Sequence, residues 1–446
     1  MKTYHIITIG CQMNKSDSER LASILEKNGY RKTDNKYKAD LITVNTCGVR
    51  QMAEDRIYGL IPEIKRKNKK AKIILTGCLV NRKDVRRRLE KYVDIWMMIT
   101  EMTNDKFPMT NQCQISNVKY QNDYLKIVPK YESKFSAYVP IGNGCDNFCS
   151  YCVVPYARGR EVYRLAKDIV DEAKNLVNRG YKEIILIAQN VNSYKSGKID
   201  FADLLKQLDN IKGDFWLRFI TSHPKDMSDK LIKTIAGSKN ICRHIHLPVQ
   251  AGDDKVLNKM NRQYARIDYI KLVKKVRQDL NDQFPIFNDQ KNTKLKIQNL
   301  WKQPVAITTD IIVGFPGETK KQFDNSAKLM KEVKFDLAYI VRYSPRPGTA
   351  AFKMADNVTK LEKKRREEKL MEILRKTALD NNKKYIGKIV KVLVEGKDKR
   401  GKLFGSTETA KVVKISNAPC NDKLIGEFAD VKIIKVMDFG LEWEIA

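Results

Sequence analysis

Short, mostly apolar runs alternate with amphipathic segments over the first hundred residues of the chain. The runs are short enough to be buried strands, and the segments after them have the apolar spacing of helices, for example at about 48–67 and 83–91. The repeated strand–helix order predicts a parallel α/β domain over residues 1–115. Its strands are predicted at Tyr4–Ile9, Leu41–Asn45 and Lys72–Thr76.

The same alternation returns about six times between residues 131 and 358, after a polar segment at 101–135 that is typical of a linker. This order predicts a partial (β/α)6 barrel, whose chemistry lies at the carboxyl ends of its strands. A polar insert at about 281–303 interrupts the pattern before the fifth strand. The predicted strands are Ala137–Ile141, Glu183–Ala188, Phe215–Thr221, His244–Val249, Ala306–Val313 and Leu337–Tyr343.

The last ninety residues change character twice. Residues 359–385 have a helical pattern crowded with charge, which is typical of a solvated face. Residues 386–446 contain short alternating segments separated by glycine turns, at 389–394, 411–415 and 430–436. They predict a small all-β barrel or sandwich that folds separately and binds RNA as an appendage, in the manner of OB-like modules.

Composition adds a charge bias and a cysteine surplus. The net charge is +32, from 85 Lys and Arg against 53 Asp and Glu, which favours a polyanionic partner, although a genome-wide lysine bias would also raise it. The chain has no N-terminal signal peptide and no apolar run near 18 residues, so we expect a cytoplasmic protein without membrane spans. Nine cysteines in a reducing compartment are ligands or reactive thiols rather than disulfides.

Three of these cysteines, Cys145, Cys149 and Cys152, form a C-x3-C-x2-C run directly after the first predicted barrel strand. They could be ordinary surface thiols or a zinc knuckle, but a structural zinc site takes four protein ligands and this loop offers three. A four-iron cluster held by three thiolates keeps one iron open for a substrate or cofactor. The spacing therefore favours an iron–sulfur site at the barrel mouth.

Three more cysteines, Cys11, Cys47 and Cys78, each follow one of the strands predicted in the first domain. Each alone would most often be a small buried hydrophobic residue. The carboxyl ends of parallel strands meet at one edge of a sheet, however, so all three point into one crevice. Their shared position favours a second metal or sulfur site, again with three thiolates and no fourth.

Several motifs together resemble one known family. The Cys145–Cys152 loop resembles the cluster loop of radical S-adenosylmethionine (SAM) enzymes, and residues 386–446 resemble a TRAM domain. With the motifs around the first three cysteines, the chain is similar nearly end to end to the radical SAM methylthiotransferases. The matching stretches are Gly10–Asn14, Asn45–Arg50, Thr76–Cys78, Cys145–Glu161, Ala188–Tyr194, His246–Gln250, Thr309–Glu318 and Tyr343–Thr349.

The resemblance implies two [4Fe–4S] clusters and SAM as cofactors. The cluster on Cys145, Cys149 and Cys152 would cleave SAM reductively to a 5′-deoxyadenosyl radical, and the cluster on Cys11, Cys47 and Cys78 would carry the sulfur. A second SAM would supply the methyl group. Tyr151 would lie by the adenine of SAM. The other SAM contacts implied are Gln189, Asn190, Asp310, Gly314 and Gly317, although loop capping would also explain Gln189 and Asn190. His223 and His246 are assigned to the scaffold.

Within the family, Gln12–Asn14, Val49–Arg50 and Val153–Pro155 most resemble the members that act on N6-isopentenyladenosine next to the tRNA anticodon. The implied reaction adds a methylthio group to carbon 2 of that adenine. The implied partners are the anticodon stem-loop and an electron donor of flavodoxin or ferredoxin type, with the enzyme a monomer. Alternatives are threonylcarbamoyl-adenosine, a ribosomal protein aspartate, or a non-catalytic, metal-stabilised RNA-binding protein.

Some positions depart from the family pattern or stay open. Ser406 and Ala410 replace residues frequent in TRAM domains, which puts RNA contacts from that strand in doubt. The arginines beside the cluster loop are candidates for phosphate contact or for scaffold salt bridges; they are Arg158, Arg160 and Arg164.

Overall fold

The computed structural model of the protein describes residues 1–49, 51–101, 123–282, 303–415 and 422–445. Most of the predicted linker and of the predicted insert at 281–303 lies outside these residues, as do Arg50, Cys113 and Cys420.

The first domain is a five-stranded, all-parallel sheet with helices Gln12–Lys27, Gln51–Lys67 and Lys83–Leu89. The bounds of its three central strands agree with the predicted bounds to within one residue. The two edge strands were not predicted, because two-residue strands carry no periodicity. From edge to edge the strands are Arg31–Lys32, Thr3–Thr8, Leu41–Thr46, Lys72–Gly77 and Ile95–Trp96.

Six parallel strands form the central half-barrel and confirm the predicted partial (β/α)6 barrel. They make two three-stranded sheets that one bridge, Leu217 to Ile241, joins into a continuous wall. Each strand buries apolar side chains against surrounding helices. In spatial order the strands are Ser136–Pro140, Glu183–Ile187, Trp216–Phe219, His244–His246, Ala306–Val313 and Leu337–Arg342. The helices are Val154–Arg158, Ala166–Asn178, Phe201–Asp209, Asp229–Ala236, Asp254–Lys259, Arg266–Asp282 and Lys320–Val333.

Short two-residue strands pair beside this wall. The strand Gly142–Asn143 is antiparallel to Val162–Tyr163, and Lys195–Ser196 is antiparallel to Ile199–Asp200. The first of these hairpins closes the segment that carries the cysteine run, so both ends of that segment are fixed to the barrel.

The helix Lys360–Lys383 has the expected solvated face, and it also has a buried face that the sequence did not indicate. Its buried positions recur every three or four residues and face the barrel. Two of them are charged: Arg366 pairs with Glu318 at 2.7 Å, and Lys363 pairs with Asp356 at 2.7 Å. The sequence concealed this face because a buried Lys or Arg looks like a solvated one until its partner is known.

The chain ends in a closed five-stranded barrel, as the all-β prediction for this region required. Two of its strands, Leu403–Thr407 and Gly440–Ile445, were not predicted, although Leu441, Trp443 and Ile445 alternate with polar residues in the second. The other strands are Ile389–Lys397, Val412–Ile415 and Phe428–Met437.

This β module packs against the half-barrel at the amino ends of its strands. Trp216, the first residue of its strand, contacts Phe428 in a tilted arrangement with ring centroids 4.7 Å apart. Lys411 pairs with Asp336, just before the last barrel strand, at 2.7 Å. The module has its own apolar core, in agreement with the expectation that it folds separately, and it is also docked firmly on the half-barrel. Within the described residues, no helix is both long and apolar enough to cross a membrane.

Candidate active site

All six cysteines of the two predicted sets line one cavity of about 520 Å³. The cavity lies between the carboxyl edge of the first sheet and the inside of the half-barrel. Among the described residues, no group of three or more His, Cys, Asp or Glu side chains is arranged around a single metal ion.

The loop that carries Cys145, Cys149 and Cys152 is held in a tight turn by unusual backbone angles. Gly144 has φ of 87°, and a Cβ there would lie 2.0 Å from the carbonyl oxygen of Arg160, so only glycine fits. Phe148 has φ of 44° although it is not glycine. The amide of Cys152 donates to the carbonyl of Cys149 at 2.9 Å, which closes the turn. All three cysteines of this loop line the cavity.

Hydrogen-bond donors contact two of the sulfurs in this loop. The Arg262 guanidinium lies 3.5 Å from Cys149 Sγ, and Asn147 Nδ2 lies 3.5 Å from Cys145 Sγ. Burial raises the pKa of the Cys145 and Cys152 thiols, so both are protonated without a metal. Donors aimed at buried thiols suit ligands that become thiolates when iron binds. The loop therefore fits a [4Fe–4S] cluster.

The second set comes from three loops that glycines bring together. A Cβ on Gly10 would lie 3.0 Å from Cys47 Cβ, and one on Gly48 would lie 3.2 Å from Cys78 Cβ. The amide of Val49 donates to Cys47 Sγ at 3.4 Å. Cys78 and Cys47 are buried, whereas Cys11, before the helix Gln12–Lys27, is exposed. Three sulfurs with a backbone donor again fit a cluster that has one site left open.

Four of the six predicted SAM contacts line the same cavity: Tyr151, Gln189, Asn190 and Asp310. Three polar atoms are buried there without a hydrogen-bond partner, namely Gln189 Oε1, Asn190 Oδ1 and Ser222 Oγ. Unpaired buried acceptors are costly unless a ligand uses them. The amino group and the ribose hydroxyls of SAM are suitable donors, so these residues fit that cofactor.

The two glycines predicted to contact SAM do not line the described cavity. Gly314 and Gly317 are absent from the described cavity lining. The amide of Gly314 donates to Glu318 at 2.6 Å, and a Cβ on Gly314 would lie 2.3 Å from Lys363 Cγ. In this structure Gly314 lets the long charged helix approach the barrel. A direct role of the two glycines in binding SAM stays a prediction.

Histidines that sequence reasoning assigned to the scaffold also line the cavity. Burial, with the nearby charges of Arg262 and Lys225, lowers the pKa of His223 to about 2. Its Nδ1 accepts from the amide of Lys225 at 3.2 Å, so the neutral ring keeps one N–H at Nε2. His246 Nε2 lies 3.5 Å from Asp310 Oδ2. The only available signal was that both histidines lie in or just after a barrel strand.

The arginines after the cluster loop are largely committed to the scaffold. Arg158 is buried against Asp17 at 2.6 Å, and Arg164 is buried against Glu172 at 2.6 Å. Only Arg160 is exposed, and it pairs with Asp146. Of the two alternatives, salt bridges rather than phosphate contacts describe Arg158 and Arg164.

The β module supplies the opposite wall of the cavity through its two turns. Residues 409–412 and 438–440 line it together with the six cysteines. Two aromatic side chains on this side are exposed, Phe439 at 44% and Tyr339 at 50%. Sequence reasoning placed this module away from the chemistry, because a turn gives no indication of which domain it will contact.

Comparisons with known proteins agree with this architecture. Residues 3–98 match the Uncharacterized protein family UPF0004, residues 139–285 the Radical SAM superfamily, and residues 383–442 the TRAM domain. The fold is similar to that of TsrM, a radical S-adenosylmethionine methyltransferase from Kitasatospora setae whose structure has cobalamin and a [4Fe–4S] cluster bound. The TM-score is 0.50 at 14% identity, over 79% of this chain and 74% of that one.

These matches and the cysteine loop define the chain as a radical SAM enzyme. It is 42% identical over 461 residues to the tRNA-2-methylthio-N(6)-dimethylallyladenosine synthase of Thermoanaerobacter pseudethanolicus, covering 99% of this chain and 92% of the relative. The synthase of Clostridium tetani is 40% identical over 99% of this chain and 96% of its own length. The chain belongs to the tRNA-2-methylthio-N(6)-dimethylallyladenosine synthase family.

Proposed function

We propose that this protein adds a methylthio group to carbon 2 of N6-isopentenyladenosine (dimethylallyladenosine) beside the anticodon of tRNA. The observation that carries the proposal is the single cavity into which both cysteine sets open. A reaction that joins a radical step to sulfur delivery needs both reactive centres within reach of one substrate carbon. The full-length similarity to synthases of this name supports the same activity.

The two cysteine sets divide the work between them. With clusters bound, Cys145, Cys149 and Cys152 hold the one that cleaves SAM, and Cys11, Cys47 and Cys78 hold the one that provides sulfur. The chain itself binds and orients SAM. Gln189 and Asn190 offer their unpaired oxygens to its donors, while Tyr151, a half-buried residue of the cluster loop, offers an aromatic face for the adenine.

The RNA enters between the half-barrel and the β module. Sequence-specific RNA recognition usually captures unstacked loop bases on aromatic side chains, and Tyr339 and Phe439 are exposed where the β module meets the half-barrel. The net charge of +32 favours the phosphate backbone without specifying a sequence. The two aromatic side chains line the same cavity as both cysteine sets, which supports entry of a base that flanks the anticodon into that cavity.

The remaining partners follow from the chemistry. Reductive cleavage of SAM consumes an electron, so a low-potential carrier of flavodoxin or ferredoxin type supplies it. A tRNA substrate and cysteines that must stay reduced to hold iron support a cytoplasmic enzyme. One chain contains both cysteine sets, so a monomer suffices for the reaction.

The test uses anaerobically reconstituted full-length protein, SAM, dithionite and two synthetic anticodon stem-loops. One stem-loop carries N6-isopentenyladenosine and the other N6-threonylcarbamoyladenosine. Mass spectrometry of the digested RNA is expected to show a methylthio group on the first substrate only. Equal turnover of both, or turnover only of a ribosomal protein, contradicts the substrate assignment. RNA binding without any 5′-deoxyadenosine would instead support the non-catalytic alternative.

A further inference from the structure

A buried ion pair connects the two halves of the active site. Arg158 ends the short helix that follows the cluster loop, and Asp17 lies in the helix that begins directly after Cys11. The Arg158 Nη2 to Asp17 Oδ2 distance is 2.6 Å, and the two side chains are 4% and 1% exposed. The pair therefore joins the element carrying one cysteine set to the element carrying the other.

Further bonds fix both partners in place. Arg158 Nη1 donates to Asn143 Oδ1 at 3.0 Å, and Asn143 lies in the strand just before the cluster loop. The second oxygen of Asp17 accepts from the hydroxyl of Tyr124. An arginine whose two terminal nitrogens bond different side chains, opposite a carboxylate with both oxygens satisfied, has little freedom to move.

The Arg158 charge also lies on the wall that carries sulfur ligands. Arg158 lines the cavity together with Cys78 and Cys11. Inside a protein electrostatic interactions are poorly screened, so a fixed charge there changes the energy of any charge added nearby. Reduction of an iron–sulfur cluster adds one negative charge, and nearby charges tune its potential.

We propose that Arg158 and Asp17 are positioning residues that hold the N-terminal cysteine set over the barrel and set the reduction potential of its cluster. Arg158 makes the added electron more favourable, and Asp17 offsets part of that effect. The inference rests on the cluster that the proposed function assigns to Cys11, Cys47 and Cys78. A salt bridge with a purely structural role would not shift the reduction potential in opposite directions when each partner is neutralised in turn.

Substitutions that remove the positive charge of Arg158 or the negative charge of Asp17 distinguish control of the reduction potential from a purely structural role. Arg158→Gln leaves a buried negative charge and is expected to lower the midpoint potential of the N-terminal cluster. Asp17→Asn leaves a buried positive charge and is expected to raise it. Arg158→Lys keeps the charge and is expected to stay close to the wild type. Lys230→Gln removes an exposed pairing with Asp200 and Asp203 and serves as the control, with no expected shift.

The measurement is a redox titration of reconstituted holoenzyme followed by electron paramagnetic resonance. The signal of the N-terminal cluster is the one absent from the Cys47→Ala protein. Shifts of opposite sign for Arg158→Gln and Asp17→Asn support the proposal, and no shift or shifts of one sign overturn it. If Asp17→Asn fails to hold iron, Arg158→Lys decides, since a drop as large as that of Arg158→Gln overturns the proposal. A wild-type protein with one cluster signal overturns the proposed function as well.

Discussion

The guanidinium of Arg218, on a strand of the half-barrel, donates to the backbone carbonyl oxygen of Thr407 in the β module at 2.7 Å, across 189 residues of sequence. The same guanidinium donates to Glu183 at 2.5 Å and to the carbonyl of Glu408 at 2.7 Å. Arg218 and Glu183 are each 8% exposed in their side chains. One buried residue thus fixes the module that forms the far wall of the cavity.

Arg218→Ala is therefore expected to destabilise the junction by about 3–5 kcal/mol, because it leaves Glu183 buried without its partner. The expected result is a lower melting temperature and faster tryptic cleavage near Lys384, between the long helix and the β module. Lys230→Ala, which removes an exposed ion pair, should change stability by less than about 1 kcal/mol. An unaltered cleavage rate in Arg218→Ala would mean that other contacts dock the module.

Phe439 in the turn of the β module is expected to stack on an RNA base. Phe439→Ala should weaken binding of the anticodon stem-loop by about 1–3 kcal/mol, or roughly 5- to 150-fold, and leave SAM cleavage without RNA intact. Fluorescence anisotropy of a labelled stem-loop measures it. Ile434→Ala is the matched control, because Ile434 is exposed on the same module but is absent from the cavity lining. Equal losses in both variants would argue against stacking.

Ala410 carries a backbone conformation that disfavours it, with φ of 58°. A left-handed conformation costs an L-residue about 1 kcal/mol, and asparagine tolerates it better than alanine. Ala410→Asn is expected to raise the melting temperature. Ala429→Asn, on a strand of the same module, should give no gain. A lower melting temperature for Ala410→Asn would show that its side chain clashes in the cavity.

Glu19 gives the fold a pH dependence. Burial raises its pKa to about 7, and its Oε2 is buried without a hydrogen-bond partner. Because the folded pKa lies above the unfolded one, stability is fully present below about pH 4.5 and falls as pH rises towards 7. Glu19→Gln should therefore be more stable than the wild type at pH 8.5, by up to about 3 kcal/mol, and the gain should shrink at pH 5.5.

Thermal melts of Glu19→Gln and of Glu90→Gln, whose glutamate is exposed at the end of a helix, check this at both pH values. A gain for Glu19→Gln that does not depend on pH would contradict the assignment.

The sequence predicted the elements that repeat and the residues whose spacing is local. Cys145, Cys149 and Cys152 lie within eight residues, and Cys11, Cys47 and Cys78 each follow a readable strand. Parallel-strand geometry alone then places each set at one edge.

Residues whose role depends on distant partners could not be predicted. Arg158 and Asp17 lie 141 positions apart, and a buried charge is identical to a solvated one in sequence. His223 was assigned to the scaffold because a histidine is more often structural than a ligand, and only the fold shows that it lines the cavity. The β module was interpreted as an appendage because no feature of the local sequence indicates that its turn at Ala410 lines the cavity.

The most direct test of the central claim is the Cys47→Ala protein, assayed under dithionite for both 5′-deoxyadenosine and methylthiolated adenosine. Cys47 belongs to the set assigned to sulfur delivery, whereas the loop of Cys145, Cys149 and Cys152 stays intact in this variant. The account predicts slow, uncoupled 5′-deoxyadenosine formation with no methylthiolated product, while Cys149→Ala should form neither. A Cys47→Ala protein that keeps its remaining cluster yet cleaves no SAM, or one that still methylthiolates the RNA, would contradict the division of labour between the two cysteine sets.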